Sequence, residues 1–229
     1  MLNRNSIKNG VIYNLLKKNQ HITNLAPKTL EERKASLKLT LSKAPMGSMK
    51  NGVWVFGYGS LIWNPAIDFI EKRIGRIYGY HRAFCMWTPL GRGTPENPGI
   101  MLALDHGGSC NGLAFRISLE KIEEELSILW SREMALDSYI PTWVKIYTDK
   151  EILFGLTFTI NRNHQRYARQ LPTEIIAKHL ATAKGDLGTS AEYLKNLITY
   201  LTKLDILDKY IDDLHQRVSA LQNKSIEKE

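Results

Sequence analysis

The sequence is poor in cysteine and has no long apolar run. Its 229 residues include only Cys85 and Cys110, in no Cys-x-x-Cys arrangement, which argues against a disulfide framework and a zinc site. A reducing cytoplasm is therefore expected. The longest apolar runs, such as Val53 to Phe56, fall far short of the ~20 residues that span a bilayer, so no membrane span is expected. Polar and basic residues also interrupt the first ten positions, which does not fit a signal peptide.

Several familiar site motifs are missing as well. A dinucleotide fingerprint needs a third glycine where Ile62 stands, and a P-loop needs Gly-Lys-Ser/Thr at its end. The nucleophile elbow of hydrolases needs a glycine two positions after its serine, and Ser60 has none there. The histidines show no i, i+4 pairing of the kind that binds zinc. These absences argue against the common nucleotide-binding motifs, the hydrolase nucleophile elbow and a metal site.

The positive charge is confined to one end of the chain. The formal net charge is +8, but residues 1–50 hold ten Lys/Arg and two Asp/Glu, whereas residues 51–229 hold twenty-one of each. A uniformly basic face on the main domain is therefore not expected, and neither is nucleic acid as a partner. We interpret 1–50 as a basic, partly helical extension and 51–229 as the main domain.

The segment from Val53 to Trp63 is the most informative part of the chain. An apolar strand runs directly into a Gly-x-Gly turn formed by Gly57, Tyr58 and Gly59. Glycine can adopt positive φ and lets the backbone approach a ligand closely, because it has no Cβ. The local pattern fits a ligand-binding loop and a purely structural turn about equally well.

The remaining pattern predicts an α+β chain. Residues 1–25 are polar and are predicted to be irregular. The predicted helices and strands, in chain order, are a helix over 29–42, strands over 53–58, 75–86, 100–104 and 112–117, a helix from Ser118 to Met134, a hairpin of strands 142–147 and 152–160, and helices over 172–184, 189–203 and 205–221. Several strands with glycine breaks indicate a small β-barrel flanked by helices.

Two charged residues are candidates for a functional site. Glu133 follows Leu129 and Trp130 on a mostly apolar helical stretch, and apolar surroundings raise the pKa of a carboxylate towards the range useful for acid–base catalysis. The alternative is a surface glutamate or an ion pair with Arg132. Arg92 lies in a long polar loop that could present a positive charge to an anionic ligand, although a solvated loop arginine fits equally.

Taken together, several segments closely resemble the ChaC family, the glutathione-specific γ-glutamylcyclotransferases. The matching segments, which extend over nearly all of 51–220, are Val55–Trp63, Gly91–Gly93, Pro98–Gly99, Trp130–Met134, Tyr139–Trp143, Tyr167 and Gly185–Leu194. One departure is Ser190, where members of the family have asparagine; both residue types can cap a helix.

The resemblance implies a γ-glutamylcyclotransferase-like fold, a small mixed barrel flanked by helices, with 51–229 as the catalytic domain. It implies cleavage of glutathione into 5-oxoproline and cysteinylglycine, with Glu133 as the general acid and base. The implied substrate-binding residues are Val55, Phe56, Gly57, Tyr58, Gly59, Ser60 and Leu61, and Arg92 is a further candidate for an anionic group of the substrate.

In this reaction the amine of the substrate is itself the nucleophile, so no cofactor and no metal are expected. No obligate protein partner is evident from the sequence. Two alternatives stay open at this point. The chain could be a cyclotransferase for other γ-glutamyl amino acids or amines. It could also be a catalytically silent γ-glutamyl-binding protein that uses its basic extension for contact with a partner or a membrane surface.

Overall fold

Five strands form a closed barrel in the computed structural model, which describes residues 2–226. The barrel strands are β1 (Val53–Gly57), β2 (Glu71–Thr88), β3 (Gly99–Ile117), β4 (Tyr139–Tyr147) and β5 (Ile152–Ile160). Their order around the barrel is β1, β3, β2, β4, β5. Strand β1 runs antiparallel to β3 and parallel to β5, so the barrel is mixed. This confirms the predicted α+β barrel.

The helices precede, interrupt and follow the strands. They are α1 (Arg4–Lys8), α2 (Val11–Lys18), α3 (Gln20–Thr23), α4 (Leu30–Ser42), α5 (Ile122–Glu133), α6 (Thr173–Thr182), α7 (Ser190–Lys203) and α8 (Lys209–Ile226). Two short pairing segments, β6 (Lys184–Gly185) and β7 (Gly188–Thr189), precede α7. None of the helices within the described residues is long and apolar enough to cross a membrane.

The chain divides into two compact units. One holds the residues up to Arg82 together with Leu104–His164, and the other holds Ala83–Ala103 together with the residues from Gln165 onward. Strands β2 and β3 each run from one unit into the other. Helices α1 to α5 belong to the first unit, and α6 to α8 belong to the second.

Strand β1 is buried along its whole length, as its uninterrupted apolar sequence predicts. It pairs with β3 from Val53 opposite Ile117 to Gly57 opposite Leu113. The sequence predicted two separate strands, 100–104 and 112–117, and this was wrong because β3 is continuous. Gly107 and Gly108 take positive φ inside it, so the strand bends at these glycines without ending.

The predicted hairpin is confirmed. Strands β4 and β5 pair antiparallel over their full length, from Tyr139 opposite Ile160 to Tyr147 opposite Ile152. The hydroxyl of Thr148 closes the turn by donating to the carbonyl of Glu151 at 2.7 Å.

The prediction of an irregular segment over residues 1–25 was wrong. Three short helices occupy it. Ile7 of α1 and Leu16 of α2 are buried and anchor these two helices, and Leu25, which follows α3, is buried as well. Asn3 caps α1 through a reciprocal pair of hydrogen bonds with Ser6. Helix α4 was predicted correctly, and its Thr29–Glu32 capping box is formed.

The basic extension packs along α5. Glu125 of α5 is fully buried, and Arg4 donates to its Oε1 at 2.6 Å and to its Oε2 at 2.5 Å. The backbone N–H of Lys28 donates to the carbonyl of Ala135 at 2.9 Å, just beyond the end of α5. Part of the positive charge of the extension therefore has partners within the same chain. The boundary between 1–50 and 51–229 as separate domains stays a prediction.

In the second unit, α7 begins with a capping box formed by Thr189 and Glu192. The side chain of Thr189, not that of Ser190, accepts from the backbone N–H of Glu192, at 3.0 Å. Ser190 is fully buried, and its hydroxyl donates to the carbonyl of Arg92 at 3.0 Å. The serine at the position where the family pattern has asparagine thus fixes a loop of the same unit.

Candidate active site

The predicted substrate segment begins in β1 and ends in a turn of 3-10 helix over Ser60–Ile62. The side chains of Val55, Phe56, Tyr58 and Leu61 are buried among core residues. Ser60 is the member of the segment with a partly exposed side chain. A ligand at this turn would therefore contact backbone groups and Ser60, and the buried side chains would hold the turn in place.

The backbone conformation of the two glycines differs from the positive φ that the sequence suggested. Neither Gly57 nor Gly59 adopts positive φ, and Gly59 has φ −129°. A Cβ on Gly57 would lie 2.9 Å from the Cβ of Leu61 and 3.3 Å from the ring of Phe115. Gly57 is therefore required by the close return of its own chain, which is the structural alternative left open by the sequence.

The carbonyl groups of the turn are held by buried side chains. Thr157 donates its hydroxyl to the carbonyl of Phe56 at 3.0 Å, and Nε of Arg82 donates to that of Tyr58 at 2.7 Å. The hydroxyl of Tyr58 donates to the carbonyl of Phe158 at 2.9 Å. These contacts fix the orientation of the peptide planes that lead into the turn.

Three consecutive N–H groups of the turn, those of Gly59, Ser60 and Leu61, have no acceptor among residues 2–226. Gly59 and Leu61 are buried residues, and a buried N–H normally has a partner. A row of oriented N–H groups is suited to binding a carboxylate or an oxygen that gains negative charge.

Glu133 is the last residue of α5, and its side chain is 15 % exposed. Burial raises the pKa of its carboxyl group, and the adjacent Arg132 opposes this shift by charge and by a hydrogen bond. Leu129 and Trp130 are buried one turn earlier, as the sequence predicted. The ion pair proposed as the alternative is also present, with Nε of Arg132 2.9 Å from Oε1 of Glu133. Glu133 therefore forms an ion pair with Arg132 and also has a raised pKa.

Arg132 connects Glu133 to the turn. Its Nη2 donates to Oγ of Ser60 at 2.7 Å, and its Nη1 donates to the carbonyl of Asn64 at 2.5 Å. The side chain of Arg132 is only 8 % exposed. The structure therefore brings Glu133 and Ser60 to one shared arginine. The local sequence pattern indicates Arg132 only as a partner of Glu133, because nothing in that pattern relates Arg132 to Ser60.

Arg92 belongs to the second unit. Its Nη1 donates to the carbonyl of Thr189 at 2.6 Å, and its guanidinium group lies 5.4 Å from the ring centre of Tyr193. Burial lowers its pKa, while Tyr193 and Glu192 raise it. These contacts give Arg92 a structural role in its unit, and its predicted contact with the substrate stays a prediction.

No cluster of three or more His, Cys, Asp or Glu is found where the chain is described. Cys85 and Cys110 are both buried, and they do not form a disulfide. The expectation that no metal or cofactor takes part stays a prediction.

The chain is similar to known proteins over most of its length. The family model described as ChaC-like protein matches residues 53–221. A glutathione-specific γ-glutamylcyclotransferase of Escherichia coli is 42% identical over 83% of this chain and 82% of its own length. The enzyme of that name from Schizosaccharomyces pombe is 30% identical over 78% of this chain and 98% of its own length.

The crystal structure of a γ-glutamylcyclotransferase specific to glutathione from yeast has the same fold. It superimposes with a TM-score of 0.68, at 22% identity, over 74% of this chain and 96% of that chain. The match of the family model covers most of the chain and includes both the turn and Glu133. The chain therefore belongs to the family of ChaC-like proteins.

Proposed function

We propose that this protein is a γ-glutamylcyclotransferase that converts glutathione into 5-oxoproline and cysteinylglycine. The observation that carries the proposal is the shared arginine, which joins a partly buried carboxylate to a turn with three N–H groups that lack an acceptor. The names of the related proteins support glutathione as the substrate.

The reaction needs little covalent chemistry from the protein. The α-amine of the γ-glutamyl group attacks its own γ-carbonyl, so that a C–N bond of a five-membered lactam forms and the amide bond to cysteine breaks. Nothing is oxidised or reduced. Starting from the α-ammonium, the attacking nitrogen loses two protons as it becomes the lactam N–H, and the leaving nitrogen gains two as it becomes the ammonium of cysteinylglycine. The protein has to hold the substrate in a folded conformation in which the two groups are close. This step is a C–N cleavage of the lyase type.

Glu133 is the group we assign to the proton transfer. The α-amine is an ammonium at neutral pH and becomes a nucleophile only when a base removes its proton. A carboxylate with a raised pKa is a better match for this task than an ordinary glutamate, and the protonated form can then return the proton to the leaving amine. Catalysis of this kind typically contributes ~10²–10⁴-fold to the rate.

The N–H groups of Gly59, Ser60 and Leu61 are assigned to the anionic parts of the substrate. They can bind its α-carboxylate, or they can stabilise the carbonyl oxygen on which charge develops during ring closure. In other enzymes, the loss of one such donor at an oxyanion costs ~10²–10³-fold in kcat. Arg92 is proposed as a further contact for an anionic group, and the cytoplasm as the location of the reaction.

A panel of substrates tests the proposal. The purified protein is incubated with glutathione, with a γ-glutamyl amino acid and with a γ-glutamylamine, and 5-oxoproline and the released amine are quantified by mass spectrometry. We expect the highest kcat/KM for glutathione. A preference for another member of the panel would reassign the substrate, and binding of glutathione without any product would indicate a silent binding protein.

A further inference from the structure

We propose that Arg132 is the positioning residue of this site: it holds Oε1 of Glu133 and the hydroxyl of Ser60 together, and it leaves Oε2 of Glu133 to accept and return the substrate proton. The inference rests on the proposed function and adds to it that the two oxygens of the Glu133 carboxylate have different roles.

The geometry of the guanidinium group carries the first step. Its three nitrogen atoms contact three different partners, namely Oε1 of Glu133 through Nε at 2.9 Å, Oγ of Ser60 through Nη2 at 2.7 Å and the carbonyl of Asn64 through Nη1 at 2.5 Å. Ser60 begins the 3-10 turn and Asn64 lies two residues beyond its end, and the backbone N–H of Asn64 donates to the carbonyl of Ser60 at 2.9 Å. One planar group therefore fixes the whole turn to the end of α5.

The second step concerns the carboxylate. Within residues 2–226, Oε1 of Glu133 forms an ion pair with Nε of Arg132 at 2.9 Å, whereas Oε2 has no hydrogen-bond donor. An oxygen that is paired with a guanidinium cation is the poorer proton acceptor of the two. The proton taken from the substrate amine is therefore expected on Oε2.

The third step concerns why the residue is arginine. A guanidinium group is planar and presents five N–H donors in a fixed arrangement, so one side chain can bind three acceptors in set directions. Lysine carries the same charge on a single nitrogen at the end of a flexible chain and cannot reproduce these contacts together. The substitution Arg132→Lys can therefore separate the effect of the positive charge from the effect of the fixed guanidinium geometry.

The pKa of Glu133 can report on the contact with Arg132. Burial raises its pKa, and Arg132 is the charged group in the described part of the chain that lowers it. Removal of the guanidinium group should raise the pKa of Glu133 further, whereas loss of an unrelated arginine should not.

The experiment compares Arg132→Gln, Arg132→Lys and Ser60→Ala with the wild type in steady-state turnover of glutathione across pH. For Arg132→Gln we expect kcat to fall about 10²-fold, the size of effect known for misplaced groups, with the larger part of the loss in kcat rather than KM. The acidic limb of kcat/KM should move to higher pH. Arg132→Lys should keep this limb close to that of the wild type and still lose kcat.

Ser60→Ala removes the hydroxyl that accepts from Nη2 of Arg132 and leaves the arginine in place. It should lower kcat in the wild-type background and have little further effect in Arg132→Gln, because the contact is already lost there. Arg217→Gln is the matched control, since Arg217 makes exposed ion pairs with Asp213 and Glu174 on the second unit. We expect wild-type kinetics from it.

A folded Arg132→Gln variant with kcat within twofold of the wild type and an unchanged pH profile would overturn the proposal. If this variant does not fold, Arg132→Lys and Ser60→Ala decide, and wild-type kcat in both would overturn it equally. A wild-type protein that forms no 5-oxoproline from any γ-glutamyl compound would instead contradict the proposed function itself, so the two failures are distinguishable.

Discussion

Arg4 and Glu125 form a bidentate ion pair that ties the first helix of the chain to the helix that ends in Glu133. Glu125 has no exposed surface, and both of its oxygens accept from Arg4 at 2.5–2.6 Å. Its Oε2 also accepts from the backbone N–H of Asp68 at 2.8 Å. The basic extension is therefore part of the structural support of α5.

The first prediction is that Arg4→Met lowers the free energy of unfolding by about 3 kcal/mol, because it leaves a buried carboxylate without its partner. Urea denaturation measures the loss. The control is Lys8→Met, whose exposed ion pair with Glu124 contributes about 1 kcal/mol or less. The double variant Arg4→Met/Glu125→Gln should recover part of the loss, since no buried charge then remains unpaired. Equal losses for the Arg4 and Lys8 variants would contradict this account.

The second prediction concerns pH. The folded protein raises the pKa of Glu133, so the folded state binds more protons than the unfolded state between the ordinary and the raised pKa. The contribution of Glu133 to stability is thus present at low pH and is lost as the pH rises through this window. Glu133→Gln lacks this loss, and its melting temperature should rise relative to that of the wild type as pH increases. A difference in melting temperature that does not change with pH would contradict the raised pKa.

The third prediction concerns Gly57. An alanine there places its Cβ 2.9 Å from the Cβ of Leu61, so the turn has to shift. We expect Gly57→Ala to cost about 1–3 kcal/mol, as overpacking does, and to lower turnover of glutathione. Gly47→Ala is the control, because Gly47 is exposed, has positive φ and has no atom within 4 Å of a Cβ. It should lose stability without loss of kcat. Full activity in a folded Gly57→Ala variant would contradict the expectation that turnover depends on the shape of this turn.

The fourth prediction concerns Arg92. If it contacts an anionic group of glutathione, Arg92→Met should raise KM by about tenfold or more, since a hydrogen bond to a charged group contributes about 1.5–3 kcal/mol. Its contacts with Thr189 and Tyr193 also predict a lower melting temperature. A lower melting temperature with an unchanged KM would show that Arg92 is structural only.

The elements that could be predicted from the sequence are those with strong local signals. The Thr29–Glu32 capping box and the β4–β5 hairpin are examples, because each is specified by residues close together in the chain. The helices of residues 4–23 were missed because their apolar residues are sparse, and burial of Ile7 and Leu16 depends on contacts with the rest of the unit. Local propensity carries little information about such helices.

The candidate site was predicted in part. The turn and Glu133 each had a recognisable local pattern, but Arg132 and Ser60 are 72 positions apart, and only the fold brings them together. The role of Gly57 was also hidden, because its close neighbour is Leu61 of the same turn rather than a ligand. A glycine pattern indicates that space is short at a position, and it does not indicate what fills that space.

The most direct test of the central claim is the formation of 5-oxoproline from glutathione by the wild type and by Glu133→Gln. The substitution keeps the size and hydrogen-bonding capacity of the side chain and removes the base, so we expect a folded variant with ~10²–10⁴-fold lower kcat. Glu123→Gln, an exposed position on the same helix, is the control and should be fully active. Turnover of Glu133→Gln close to that of the wild type would contradict the assignment of Glu133 as the general acid and base.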